Sequence, residues 1–133
     1  KGEVQQTELV GLDESKFFFG QCRRAFLRKR ATLQPVNFDL SEFDLICFGT
    51  PVWAFGPAPA MNAYLDKCFG TEGKSVILFT TYGSGTGNER CLNYMQDILA
   101  KKGARQFSRF SIQQFKINDT AFVNKVIRES LEF

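Results

Sequence analysis

The chain has 133 residues, which fits a single domain, and its 44% hydrophobic content excludes an intrinsically disordered chain. No apolar run approaches the ~20 residues that span a bilayer, and the net charge of +3 indicates no particular anionic partner. Histidine is absent and the four cysteines form no CxxC pair, which argues against a zinc site and against catalysis by a histidine base. We therefore expect one domain over residues 1–133, free thiols, no signal peptide and a cytoplasmic location.

The first part of the chain predicts one strand and one helix. Glu3 to Val10 alternates imperfectly between polar and apolar residues and is interpreted as an edge strand. Ser15 suits the cap of an amphipathic helix from Lys16 to about Arg30. The basic residues of this helix are interpreted as a solvated face rather than a nucleic-acid site, because no wider basic surface accompanies them. Thr32 to Ser41 is interpreted as a connection.

The stretch from Phe43 to Pro59 organises the rest of the chain. Its apolar run, Asp44 to Gly49, predicts a strand that is buried on both faces. The loop Thr50 to Gly56 follows, and Pro57 suits the first turn of a helix. Open α/β sheets bind ligands at loops that leave the carboxyl ends of buried strands. The two large aromatic rings of this loop therefore either stack on a flat ligand or cover the upper edge of the sheet.

The second half of the chain repeats the order of strand then helix. A buried strand from Lys74 to Thr81 ends in the loop Tyr82 to Gly87, and a helix starts at Asn88. Arg105 to Gln113 is a more polar strand, which we place at a sheet edge, and Asp119 suits the cap of the last helix. This alternation predicts an α/β fold, a parallel sheet with helices on both faces.

The glycine-rich loop allows two chemical interpretations besides a tight turn. Its glycines let backbone N–H groups approach a ligand closely, so this loop and the Thr50–Gly56 loop could together grip a planar heterocycle. The run Gly83 to Gly87 could instead hold phosphate on backbone N–H groups. Its GxGxG spacing is not the GxGxxG of a dinucleotide site. Cys91, in the following helix, is interpreted as a packed thiol rather than a reactive one.

Two motifs resemble the flavodoxin-like family. They are Thr50-Pro51-Val52-Trp53-Ala54 ahead of Gly56-Pro57-Ala58-Pro59-Ala60, and Phe79-Thr80-Thr81-Tyr82-Gly83-Ser84-Gly85. The resemblance implies an FMN-binding, doubly wound sheet, in which the first loop covers one face and edge of the isoalloxazine ring and the second lines its pyrimidine side. It assigns cofactor binding to Thr50, Pro51, Val52, Trp53, Ala54, Phe55, Thr81, Tyr82, Gly83 and Gly85.

The sequence departs from that family at its beginning. The family starts with an apolar strand and a Ser/Thr-x-Thr-Gly-Asn-Thr loop that cradles the FMN phosphate, and nothing before Glu3 supplies either. Thr86-Gly87-Asn88 resembles a piece of that loop in a different place. We therefore expect a flavodoxin-like sheet that starts at the second strand, lacks its first, central strand, and self-associates through the exposed edge.

The resemblance, together with the missing phosphate loop, leaves three alternative functions, of which an FMN-dependent electron carrier is preferred. The second is an FMN-dependent reductase of quinones or similar acceptors, supplied with electrons by NAD(P)H. The third is a truncated flavodoxin-like domain without flavin, acting as an interaction module. No catalytic residue and no metal ligand is assigned. The expected partner is a redox protein or a small-molecule acceptor rather than nucleic acid or a membrane, and a homo-oligomer is one option.

Overall fold

The computed structural model describes residues 3–9, 33–83 and 85–131. In chain order its elements are β1 (Leu45–Trp53), β2 (Gly56–Pro57), α1 (Pro59–Lys67), β3 (Ser75–Tyr82), α2 (Asn88–Lys101), β4 (Gln106–Gln113), a short 3-10 turn (Gln114–Lys116) and α3 (Thr120–Ser130). The strands form one 4-stranded sheet in the order β2-β1-β3-β4. β1, β3 and β4 run parallel, whereas β2 folds back antiparallel on the end of β1. The predicted α/β class with a largely parallel sheet is confirmed.

The main core lies between the sheet and the pair of helices α1 and α2. From the sheet, Ile46 and Phe48 of β1 and Val76 and Leu78 of β3 point into this core. The helices contribute side chains that are almost completely buried, among them Leu65, Leu92, Met95 and Leu99. Burying each such side chain contributes roughly 1.5–3 kcal/mol. α3 packs against β4 on the other face of the sheet, so helices cover both faces.

The prediction that β1 is buried on both faces is wrong. Residues alternate along the strand: Ile46 and Phe48 are buried, whereas Leu45 and Cys47, which point to the other face, are exposed. The alternation arises because α1 and α2 cover only one face of this strand and α3 lies over β4. A strand with one covered face buries every second side chain.

The loop predicted from Thr50 to Gly56 is shorter than expected. β1 continues to Trp53, and Pro57 pairs with Val52 in the short strand β2. The prediction that a helix starts at Pro57 is therefore wrong, and α1 begins at Pro59 instead. Proline suits both places, because an edge strand tolerates a missing N–H and a first helical turn does not need it.

The three predictions for the amino-terminal part of the chain, a strand, a helix and a connection, have different outcomes. Glu3 to Leu9 forms no strand, so the predicted edge strand is wrong over these residues, while Val10 lies outside the described residues. The predicted helix from Lys16 to Arg30, with its cap at Ser15, also lies outside them. The predicted connection is observed from residue 33 onward. Two backbone hydrogen bonds hold it to Phe69, just after α1: Leu40 N donates to Phe69 O at 2.9 Å, and Phe69 N donates to Phe38 O at 3.0 Å.

The boundaries of the later elements follow the sequence closely. β4 lies at the sheet edge, as predicted. The side chain of Asp119 accepts a hydrogen bond from Phe122 N at 3.0 Å and caps α3. Cys91 is fully buried, which confirms a packed thiol. None of the helices in the described parts of the chain is long and apolar enough to cross a membrane.

Candidate functional site

A cleft opens where β1 and β3 end, at the carboxyl edge of the parallel strands. Its volume is about 500 Å³, within the range of roughly 300–1,000 Å³ typical of small-molecule sites. Parallel strands deliver their following loops to the same edge, so two segments that are distant in sequence meet here. The cleft is lined by Pro51, Val52, Trp53, Ala54, Phe55, Thr81, Tyr82, Gly83, Thr86 and Gln114.

One wall of the cleft is a strained hairpin turn between β1 and β2. Its two central residues, Ala54 and Phe55, have positive φ angles of 47° and 66°. Two consecutive residues with positive φ are typical of a type I′ turn, which usually contains Asn-Gly because side chains resist this conformation. The left-handed conformation costs roughly 1–2 kcal/mol for each residue with a side chain. Strain of this kind is concentrated at functional sites.

Phe55 is held against the start of α2. A Cβ atom added at Gly87 would lie 2.7 Å from Cδ1 of Phe55, so the absence of a side chain at Gly87 lets the ring pack closely. The guanidinium carbon of Arg90 lies 5.9 Å from the centre of the same ring, within the range of a cation–π contact. Contacts with Gly87 and Arg90 therefore hold the strained turn in place, and the position of the turn depends on α2.

α2 is itself fastened to β4 by Arg109. This guanidinium donates to Glu89 Oε2 at 2.6 Å, to Asn93 Oδ1 at 2.7 Å and to Gln96 Oε1 at 3.1 Å. These acceptors lie one and two turns apart along α2, so one side chain fixes the helix along about half its length.

The opposite wall is formed by the end of β3 and the loop after it. Gln113 Nε2 donates to Gly83 O at 3.1 Å and ties this loop to β4. A Cβ atom at Gly83 would meet only Gln114 Oε1, at 3.9 Å. Neither packing nor a positive φ therefore requires glycine at position 83, and the missing side chain leaves open space beside the cleft.

A row of hydroxyl groups lies in the sheet layer beneath the cleft. Thr50, Thr80 and Ser111 occupy the same register position on three neighbouring strands. The Thr50 hydroxyl accepts from Ala58 N and donates to Pro51 O, both at 3.1 Å, and so joins β1 to the start of α1. Thr80 Oγ1 is fully buried and has no hydrogen-bond partner among the described residues.

The structure brings together all the sequence-predicted site residues except two. Thr50 lies beneath the cleft and is buried, and Gly85 stands outside it in a turn with a φ of 81°. Thr86 and Gln114 also line the cleft; the sequence predicted Thr86 only as part of a possible phosphate-binding run, and Gln114 was missed. Gln114 directly follows β4, so the rule that ligands bind beyond the carboxyl ends of strands contains the signal that would have found it. Whether these residues bind a flavin stays a prediction.

The charges around the cleft are few. None of its lining residues in the described part of the chain is charged. The cleft therefore presents aromatic rings, aliphatic groups, hydroxyls, one amide side chain and backbone atoms. Such a set suits a flat, largely neutral ligand with polar edges, which rings can stack on and backbone groups can hydrogen-bond.

Comparisons with known proteins find only distant similarity. No family model matches the chain, and no curated protein matches it. Among solved structures, it is similar to a flavoprotein from Lactobacillus acidophilus NCFM that was crystallised in complex with FMN. The two chains are 21% identical, with a TM-score of 0.42 over 72% of this chain and 56% of the other. The chain thus matches little more than half the length of that protein.

Proposed function

We propose that this chain binds FMN, with the isoalloxazine ring in the cleft, and acts as an electron carrier. The observation that carries the proposal is the meeting of the two flavodoxin-like motifs in a single cleft, where Trp53 and Tyr82 stand on separate walls. The open space at Gly83 adds support, because the fold itself does not require glycine there. The residues present thus fit a planar ring with polar edges.

Each part of the cleft has a distinct task in this proposal. Trp53 and Tyr82 supply aromatic surface for stacking, and the hairpin turn and Gly83 supply backbone donors and acceptors for the edges of the ring. Gln114 adds a side-chain amide, which can both donate and accept. FMN supplies the redox chemistry when bound, and the protein binds, orients and shields it.

An electron carrier is preferred to an NAD(P)H-dependent reductase because aromatic side chains line both walls of the cleft and can cover the face of the ring that a second substrate would need. We therefore expect the FMN-loaded, reduced protein to pass electrons readily to cytochrome c and to oxidise NAD(P)H slowly. Fast NAD(P)H oxidation with quinone as acceptor would instead identify a reductase.

FMN titration tests the binding itself. Trp53 is the one tryptophan of the chain, so its fluorescence should be quenched as FMN binds. Stacking contributes about 0.5–1.5 kcal/mol beyond area burial, so Trp53→Ala or Tyr82→Ala should weaken binding roughly tenfold or more. Calorimetry measures the affinities of these variants.

Phe69→Ala is the matched control for the titration, because Phe69 is an exposed aromatic residue that does not line the cleft. Its affinity for FMN should equal that of the unmodified chain. Riboflavin, titrated in parallel, measures what the phosphate contributes. Absence of FMN binding, or variants at positions 53 and 82 that bind as tightly as the control, would contradict the proposal.

A further inference from the structure

Two consecutive glutamines at the end of β4 reach Gly83, and they differ in what their amides contact. Gln113 Nε2 donates to Gly83 O at 3.1 Å, so this amide is already used to hold the loop. Gln114 Oε1 lies 3.9 Å from the position that a Cβ atom would take at Gly83. The side-chain amide of Gln114 forms no hydrogen bond with the described residues, and it lines the cleft. Gln114 is therefore free to bind a ligand beside Gly83.

The other polar side chains of the cleft do not offer the same pattern of donor and acceptor. Thr81, Tyr82 and Thr86 each carry one hydroxyl, in which donor and acceptor share a single atom. A glutamine amide carries an acceptor oxygen and a donor nitrogen side by side. It can therefore form two parallel hydrogen bonds with the edge of a heterocycle, as glutamine does with adenine in DNA recognition.

A flavin ring offers a matching edge on one side only. Its pyrimidine part carries an imide, in which N3–H stands between two carbonyl groups, whereas the opposite edge carries two methyl groups. The N3–H group and either neighbouring carbonyl match the oxygen and the nitrogen of a glutamine amide. The bare Cα of Gly83 leaves the space in which such an edge can approach Gln114.

We propose that Gln114 is a specificity-determining residue of the cleft, whose amide pairs with the imide edge of the flavin. The pairing rests on the FMN binding proposed above, and it fixes which end of the ring enters beside Gly83. Gln114 lies outside both flavodoxin-like motifs. Gln113 acts through the loop as a positioning residue, because it holds Gly83 in place. The cleft should therefore favour flavins with a free imide over flavins alkylated at N3.

Titration of the full chain with FMN and with 3-methyl-FMN tests this pairing. Methylation at N3 removes the imide donor and leaves the phosphate and the ring system in place. The unmodified chain should bind 3-methyl-FMN about tenfold more weakly than FMN, as expected when one or two neutral hydrogen bonds are lost. Quenching of the fluorescence of Trp53, the one tryptophan, measures both affinities.

Gln114→Met keeps the length of the side chain and removes the amide. This variant should bind FMN and 3-methyl-FMN with equal affinity, about tenfold below the affinity of the unmodified chain for FMN. Gln106→Met is the matched control, because Gln106 is an exposed glutamine at the other end of β4 and does not line the cleft. The control should keep the full preference for FMN, and circular dichroism checks that both variants are folded.

Two outcomes would overturn the pairing while leaving FMN binding intact. The first is a tenfold preference for FMN that persists in Gln114→Met, because another group would then contact the imide. The second is equal affinity of the unmodified chain for FMN and 3-methyl-FMN, which would place the imide edge away from Gln114. A chain that binds neither flavin would overturn the pairing together with the proposed function.

Discussion

At the scale of single residues, the hairpin turn beside the cleft stores strain that a substitution can release. Ala54 has a φ of 47°. We expect Ala54→Gly to raise the free energy of unfolding by about 0.5–1 kcal/mol, because relief of roughly 1–2 kcal/mol of strain exceeds the entropic cost of glycine. Urea denaturation measures the change. The matched control is Ala60→Gly in α1, which should lower stability by about 1 kcal/mol. A loss of stability in both variants would show that the turn is unstrained.

Gly87 links the turn to α2, and its substitution should affect both stability and the cleft. A Cβ atom at Gly87 would meet Phe55 Cδ1 at 2.7 Å and Phe55 Cα at 3.2 Å. Gly87→Ala should lower the free energy of unfolding by about 2–3 kcal/mol, combining backbone strain with displacement of Phe55. We also expect weaker FMN binding, because Phe55 forms part of the cleft wall.

Gly85 provides the control for Gly87. Its φ of 81° is comparable, but a Cβ atom there meets nothing within 4 Å. Gly85→Ala therefore carries the backbone cost alone, roughly 1–2 kcal/mol, with unchanged FMN affinity. Equal effects of the two substitutions on denaturation and on flavin titration would mean that the contact between Phe55 and Gly87 contributes nothing.

At the scale of elements, Tyr64 joins α1 to the connection that precedes β1. Its hydroxyl donates to Asn37 O at 2.8 Å, and its ring lies 5.3 Å from that of Phe38. Burial, and secondarily the nearby Cys68, raises the pKa of Tyr64 from 10.0 to about 12. The folded state thus favours the neutral phenol, so this contribution to stability is complete below pH 10 and is lost as pH rises from 10 to 12.

We expect the free energy of unfolding to fall between pH 10 and 12, and to fall less in Tyr64→Phe. At neutral pH that variant should be less stable by about 0.5–1.5 kcal/mol, because the hydrogen bond to Asn37 is lost. Denaturant titrations across this pH range provide the measurement, with Tyr94→Phe on α2 as the control for general effects of alkali. Parallel pH profiles for Tyr64→Phe and the unmodified chain would contradict the assignment.

The strand and helix order from β3 to α3 was predictable because its signals are local, whereas the short strand β2 was missed and the strand predicted from Glu3 is absent from residues 3–9. These signals are apolar runs and the cap residue Asp119 before α3, and each depends on a few neighbouring residues. Burial of both faces of β1 was predicted wrongly because a short apolar run contains no information about which distant helix covers it. The helix start was placed at Pro57 because the Ala54–Phe55 turn lacks the Asn-Gly signature that would have indicated a hairpin.

At the scale of the whole molecule, the parallel sheet explains why the cleft was largely predictable. Two motifs distant in the chain end on neighbouring parallel strands, so their loops must meet at one edge. Thr50 does not line the cleft although the rest of its motif does, because a sequence motif does not show which of its side chains point into the core.

Thr81 lines the cleft and also lines an apolar groove of about 370 Å³ on the other face of the sheet, between β1 and α3. The cleft and the groove therefore share one wall, and a shift of this residue changes both. Thermodynamic linkage makes such coupling reciprocal: the factor by which a molecule in the groove changes the affinity of the cleft for its ligand equals the factor by which that ligand changes the affinity of the groove.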